Sequence, residues 1–321
     1  MPSALKSGRG RALAMLLLAN LFWGLSFPVI KALFMVHARL DPGAGPWFCT
    51  LYGLAPRFLV ALVVLAAVQG RGALDFSRAE LMQGIVVGLF AAAAMALQYD
   101  GLRFTAASTS AFLTQFYAIM IPVWLAFRTR RSPGAVVWVS CALVLAGVSI
   151  LGHFDWGRMR FGRGERETLL SSVFFMGQIL LIGRKKFAAN RAVRVTLVMF
   201  ATMALVFSAI AVRVAPTGTA LLLPWESPAW VALTLLLALF CTLGAFTIMN
   251  VWQPVISVTE AGLIYCSEPI FGSVLALILP AVFSRWGGID YANEHATASL
   301  LVGGGLITAA NLLIQLKPPP A

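Results

Sequence analysis

Ten stretches of this chain are apolar for nearly their whole length: roughly residues 12–36, 48–69, 79–99, 105–127, 134–152, 168–187, 195–214, 229–251, 257–280 and 297–316. A helix needs about 20 such residues to cross the hydrocarbon of a bilayer, and each stretch is of that order. The connections are short, and none could house a soluble domain. Backbone polar groups in lipid must be satisfied within the segment, which selects helices. The expected fold is therefore an all-α membrane protein with ten transmembrane helices. Of the 321 residues, 60% are hydrophobic and 11% charged. A soluble domain of this size could not hide that apolar excess while clothing its own surface.

A net charge of +12 would point to nucleic acid in a soluble chain. Here the cations sit in short connections between apolar runs, where they set topology, so no nucleic-acid partner is expected. With the N-terminus inside, fourteen Lys and Arg fall on the cytoplasmic side and eight on the other. The bias places both termini in the cytoplasm. The 153–167 connection runs against it, with Arg158, Arg160, Arg163 and Arg166. The first run follows Lys6, Arg9 and Arg11 and has no small-x-small cleavage site after it, so it reads as an uncleaved span.

Ten spans divide into five and five, giving expected halves at 1–153 and 154–321. Thr109-Ser110-Ala111-Phe112-Leu113 aligns without gaps with Thr259-Glu260-Ala261-Gly262-Leu263 at a constant offset of 150. Each half also opens with an aromatic-rich helix carrying glycine: Phe22-Trp23-Gly24, then Phe174-Phe175-Met176-Gly177. Because five is odd, the halves must cross the membrane in opposite senses, as inverted repeats. That architecture places a substrate site between the repeats, near the midplane.

At this point the chain resembles the EamA-like branch of the drug/metabolite transporter superfamily over nearly its whole length. The resemblance is carried by Leu21-Phe22-Trp23-Gly24-Leu25-Ser26-Phe27, by Pro56-Arg57-Phe58, by Ala111-Phe112-Leu113-Thr114 with Pro122, and by Thr259-Glu260-Ala261 with Glu268-Pro269-Ile270-Phe271. One departure is spacing: Pro122 lies thirteen residues after Thr109, whereas Pro269 lies ten after Thr259. The resemblance implies a multi-pass inner-membrane transporter, often an exporter of amino acids or related metabolites.

Depth along each span, at about 1.5 Å per residue, sorts the polar residues. Glu268 falls near the midplane beside Pro269. An ionisable group there marks a ligand or ion pathway by default, and the proline frees backbone carbonyls. The alternative for Glu268 is a static partner for Arg57 or a packing hydrogen bond. Arg57, deep in the second span, has two readings of its own: a bidentate fork for a substrate carboxylate, or a lock through Glu268 or a carbonyl. Trp23, Asn20, Thr114, Gln115, Gln178 and Tyr117 complete the substrate-binding set, each also serving equally as inter-helix glue. Pro28, Pro122 and Pro269 are hinge candidates. Gln98 and Tyr99 are candidates for an outer gate, with interfacial anchoring the other reading of the tyrosine. Lys31 reads as snorkelling to the interface.

Two Ser-x-x-Glu patterns, Ser77-x-x-Glu80 and Ser257-x-x-Glu260, read as capping boxes. Gly84-x-x-x-Gly88 and Gly303-Gly304-Gly305 read as close packing, the first being also a dimerisation motif that leaves a homodimer open. Cys49, Cys141, Cys241 and Cys266 read as small buried hydrophobes. His37, His153 and His295 are far apart in sequence, so neither a metal site nor a cofactor is expected. No G-x-x-x-x-G-K-[ST] is present, so the chain is not expected to hydrolyse nucleotide.

The function expected is secondary transport by alternating access, the two five-helix repeats rocking about a midplane cavity, with the bilayer and a small-molecule substrate as partners. Proton coupling through Glu268 is a further expectation. Burial favours the protonated form of a carboxylate, and a neighbouring guanidinium opposes that. The alternatives are an uncoupled facilitator or an importer, a non-transporting scaffold or sensor, and an intramembrane enzyme.

Overall fold

The computed structural model describes residues 2–101, 104, 110, 113–151 and 162–316. Regular structure there is helical throughout. The helices are α1 (Pro2–Leu40), α2 (Pro46–Gln69), α3 (Arg78–Gly101), α4 (Tyr117–Thr129), α5 (Ala135–Leu151), α6 (Arg163–Ile182) and α7 (Ala192–Val214). Then come α8 (Pro228–Leu236), α9 (Ala245–Trp252), α10 (Val258–Tyr265), α11 (Glu268–Ala276), α12 (Leu279–Gly287) and α13 (Ala298–Leu316). A wider π-helical run, Leu237–Gly244, joins α8 to α9, so that Pro228–Val255 is one continuous helical span.

Among the described residues, five helices are long and apolar enough to cross a membrane, and six if the bent pair of α10–α11 with α12 is one span. The ten expected segments do not all qualify, for two reasons. Tyr117–Thr129, Ala135–Ile150 and Ala298–Ile314 are short, and α6 opens on Arg163, Glu165, Arg166 and Glu167. The Thr109, Ala111 and Phe112 positions of the internal repeat lie outside the described residues, as does the 153–161 part of the arginine-bearing connection.

Local chemistry explains several boundaries. Ser257 caps α10 by accepting from the Glu260 amide at 3.2 Å, while Glu260 Oε2 accepts from the Ser257 amide at 3.1 Å. Ser77 and Glu80 make the same reciprocal pair at the start of α3, at 3.1 and 2.8 Å. Both boxes follow from the Ser-x-x-Glu spacing. Pro269 sits in the first turn of α11, where its missing N–H costs nothing. The sharp bend lies further on. The helix axis turns by 57° between Val258–Ala276 and Leu279–Gly287, with Pro280 in the first turn of α12. Pro280, not Pro269, thus marks the larger break.

The most extensive helix pairings all join residues before 152 to residues after 161: α3 with α6 and α7, α2 with α7, α5 with α13, and α1 with α11. Glycines set the closest of these. A Cβ on Gly84 would lie 2.5 Å from Val198 Cβ, and one on Gly88 would lie 2.9 Å from Thr202 Cβ. The GxxxG face is therefore spent on α7 within the chain. At the α1–α11 crossing, a Cβ on Gly24 would meet the Gly272 amide nitrogen at 2.7 Å. A Cβ on Gly147 would meet Gly303 O at 2.7 Å, the packing role expected of the triple glycine.

Candidate functional site

These crossings leave a cavity of about 580 Å³ between α1, α2, α3, α4, α6, α9, α10 and α11. That volume is in the range of small-molecule sites. Of the eight predicted binding residues, Glu268, Arg57, Trp23, Thr114, Gln178 and Tyr117 line it. Asn20 and Gln115 do not. Asn20 is fully buried and donates to Ile264 O at 2.7 Å and Ser267 Oγ at 2.9 Å. It ties α1 to the non-helical step between α10 and α11, the glue role rather than the binding one. Gln115 is buried beyond the cavity wall with its Oε1 unpartnered. Among the predicted gate and hinge residues, Pro28, Pro269, Gln98 and Tyr99 line the cavity, whereas Pro122 is buried inside α4.

Arg57 is 2% exposed. Its Nε donates to Thr242 Oγ1 at 2.8 Å and its Nη1 to Tyr99 Oη at 2.6 Å. Thr242 comes from the π-helical run. Two hydroxyls thus orient the guanidinium without neutralising it. The Arg57–Glu268 ion pair left open by the sequence does not form.

Glu268 stands at the first position of α11, where the positive end of the helix dipole favours an anion. Among the described residues, no hydrogen bond or ion pair takes up its carboxylate. A guanidinium and a carboxyl group therefore face one cavity without pairing.

Around them the wall is aromatic. Trp23 meets Phe246 and Tyr265 edge-on, each with ring centroids 5.5 Å apart. Tyr265 donates to Gln253 Oε1 at 3.0 Å, and Gln253 Nε2 donates to Ile179 O at 2.7 Å, fixing the ring. Gln98 Nε2 donates to Thr114 Oγ1 at 3.1 Å, and the Thr114 hydroxyl donates to Ser110 O at 2.9 Å. Gln178 Nε2 is buried and unpartnered at the cavity wall, a donor held ready for an acceptor.

Exposed Lys31, Glu294 and His295 form a rim of the cavity. Lys31 Nζ lies 5.0 Å from the Tyr291 ring centroid. Burial, with the Glu294 carboxylate adding to it, pushes the Tyr291 phenol up to about 12, so at neutral pH Lys31 meets a neutral ring. Lys31 is thus a rim residue as well as an interfacial one. Sequence reading missed Tyr291, Glu294 and His295 because they belong to a connection with no apolar periodicity.

The start of α1 is tied to the start of α10. Arg9 Nη2 reaches Glu260 Oε1 at 2.6 Å and Arg9 Nε reaches it at 3.2 Å, while Ser257 holds Oε2. Further along the same helices, Asn20 bonds to Ile264 O and Tyr265 to Gln253.

Residues 10–152 match the family model described as the EamA-like transporter family. A relative from Archaeoglobus fulgidus, described as an uncharacterized transporter, is 27% identical over 305 residues, covering 94% of this chain and 85% of its own length. A solved protein crystal structure superposes with a TM-score of 0.68 over 96% of this chain and 97% of that one. It is 15% identical, so that likeness speaks for the fold alone. The chain is a multi-pass membrane protein, helical throughout its described residues, whose residues 10–152 match the EamA-like transporter family model.

Proposed function

We propose that this protein is a secondary transporter for small zwitterionic or amphipathic metabolites, amino acids among them. The observation that carries the reading is that a guanidinium, Arg57, and a carboxyl group, Glu268, face one aromatic-walled cavity without pairing. A zwitterion offers a carboxylate to the guanidinium and an ammonium to the carboxylate, with its apolar body against Trp23, Tyr117 and Phe246. Gln178 adds a donor for the same carboxylate. Transport, rather than catalysis, fits a site whose ionisable groups face a cavity with an exposed rim.

The architecture proposed is ten spans in two inverted five-helix repeats, 1–153 and 154–321, in the inner membrane with both termini cytoplasmic. In that frame the cavity opens outward and Arg9–Glu260 closes it inward. Alternating access then requires release of the floor and closure of the rim. Because the most extensive pairings cross between halves, the moving bodies are mixed bundles rather than whole halves, and the 57° break before Pro280 is a natural place to bend. Glu268 is the group proposed to hold either a proton or the substrate's ammonium, taking up a proton from outside as the substrate leaves and releasing it inside as the next one binds, which gives proton-coupled export.

The test is mass-spectrometric profiling of spent medium from cells expressing the wild type, Glu268→Gln at matched membrane level, or an empty vector. A metabolite enriched outside with the wild type alone is expected. Enrichment with both proteins would remove Glu268 from the mechanism. Depletion from the medium with the wild type would reverse the direction to import. An unchanged medium in all three, with no uptake of any labelled amino acid, would sink the transporter reading.

A further inference from the structure

At the membrane-facing ends of α2, α3 and α7 lies a second cluster that the transport site does not use. The turn Gly70–Leu74 follows α2, and the segment Arg184–Arg194 leads into α7. Arg191 binds them together. Its Nε reaches Glu80 Oε1 at 2.8 Å, its Nη1 reaches Asp75 Oδ2 at 3.0 Å, and its Nη2 donates to Asp75 O at 2.6 Å. Asn190 adds a bond to Gln83 Oε1 at 2.7 Å. Both nearby carboxylates are thereby committed to one arginine.

The remaining cations have no such partner. Arg194 lies against the turn so closely that a Cβ on Gly72 would be 2.7 Å from its Nη2. Its Nη1 is buried and makes no hydrogen bond. Among the described residues, no ion pair or hydrogen bond takes up the side chains of Arg71, Arg78, Arg184, Lys185 or Lys186 either. A buried guanidinium N–H without an acceptor is costly, and several unneutralised cations around it repel one another. A phosphate group removes both penalties, because its oxygens match the arginine fork.

The surroundings specify where that phosphate comes from. Leu74, in the same turn, is 85% exposed and Val68, just before it, is 76% exposed. Apolar side chains turned outward beside a ring of cations suit an acyl chain below a headgroup. Three of the apolar spans, Trp47–Gly72, Arg78–Gly101 and Ala192–Val214, have ends here, which sets the cluster at the level of the lipid headgroups.

We propose that Arg194 and Arg71, with the Arg184–Lys186 run, hold the phosphate of an anionic phospholipid between the α2–α3 turn and the start of α7. The bound lipid staples the two connections together from outside, as Arg191 does from within.

Native mass spectrometry of the full chain, released from nanodiscs of phosphatidylglycerol mixed equally with phosphatidylcholine, reads the preference directly. The wild type is expected to retain phosphatidylglycerol. Arg194→Gln and, separately, Arg71→Gln, which lies in an exposed turn and spares the fold, should each weaken retention roughly fivefold, the effect of one surface cation. Arg213→Gln, an exposed cation at the far end of α7, should behave as wild type. Inorganic phosphate in millimolar excess should leave the lipid in place. Equal retention of the two lipids, no change in either Arg194→Gln or Arg71→Gln, or full displacement by inorganic phosphate would each overturn the assignment.

Discussion

Arg9 and Glu260, 251 residues apart in the chain, meet at 2.6 Å. The contact joins the start of α1 to the first turn of α10, and the Glu260 side chain is 5% exposed against 32% for Arg9. Glu260 therefore does two jobs at once. One oxygen completes a capping box, and the other receives a cation from the opposite end of the sequence.

These two jobs can be separated. Glutamine also serves in a capping box, so Glu260→Gln keeps the cap and loses the ion pair. Arg9→Gln removes the same ion pair from the other side. Both variants should raise maleimide labelling of a cysteine placed at Met249, on the cavity wall, when the reagent is applied from the face bearing Arg9. Cys49, Cys141, Cys241 and Cys266 would first be replaced by alanine. The double exchange Arg9→Glu, Glu260→Arg should restore protection. Unchanged labelling in both single variants would show that the pair is not a gate.

Tyr99 holds a charged donor at 2.6 Å, and bonds to charged groups are the stronger kind. Tyr99→Phe should lower unfolding free energy by about 1.5–3 kcal/mol, read as a drop in melting temperature of the purified protein. If the melting temperature holds, Arg57 has another anchor and the two-hydroxyl cradle is not what orients it.

Asn20 and Gln178, both predicted as binding residues, should respond oppositely. Asn20→Leu breaks two buried hydrogen bonds and should cost about 1–3 kcal/mol of stability. Gln178→Leu removes a buried amide whose Nε2 has no partner, so stability should hold or rise while the transported solute binds more weakly. A Gln178→Leu protein that unfolds early yet transports normally would make the residue structural.

Gly24 is the tightest point between α1 and α11 beside the cavity. A methyl group there meets Phe271 Cβ at 2.6 Å and the Gly272 amide nitrogen at 2.7 Å, and backbone cannot step aside cheaply. Gly24→Ala should cost about 1–3 kcal/mol by overpacking and slow transport. Normal folding and flux would mean that the crossing yields.

Much of this was legible in the residues themselves. Apolar run length anticipated where the helices lie, and Ser-x-x-Glu spacing anticipated both caps. Position along each apolar run was also accessible, because rise per residue is fixed, and it picked out Glu268 and Arg57, which both line the cavity. Rotation about the helix axis was not. Thr114 lines the cavity and its neighbour Gln115 does not, a difference of about 100° that depends on which helices pack alongside. Long-range pairings such as Arg9–Glu260 were invisible for the same reason. The 57° break escaped notice because Pro280 falls at the end of an apolar run, where a proline reads as a terminus rather than a bend.

The pairing of early helices with late ones carries a consequence for how the protein is made. When the ribosome has released α3, neither α6 nor α7 has yet been synthesised, and α1 waits longer still for α11. Helices of the first half must therefore sit in the bilayer with their glycine faces against lipid or the insertion machinery until the second half arrives. Gly84, Gly88 and Gly24 are unfilled notches during that interval. Nascent chains halted near residue 153 should be the species most exposed to membrane proteases, and folding should be completed only late in translation.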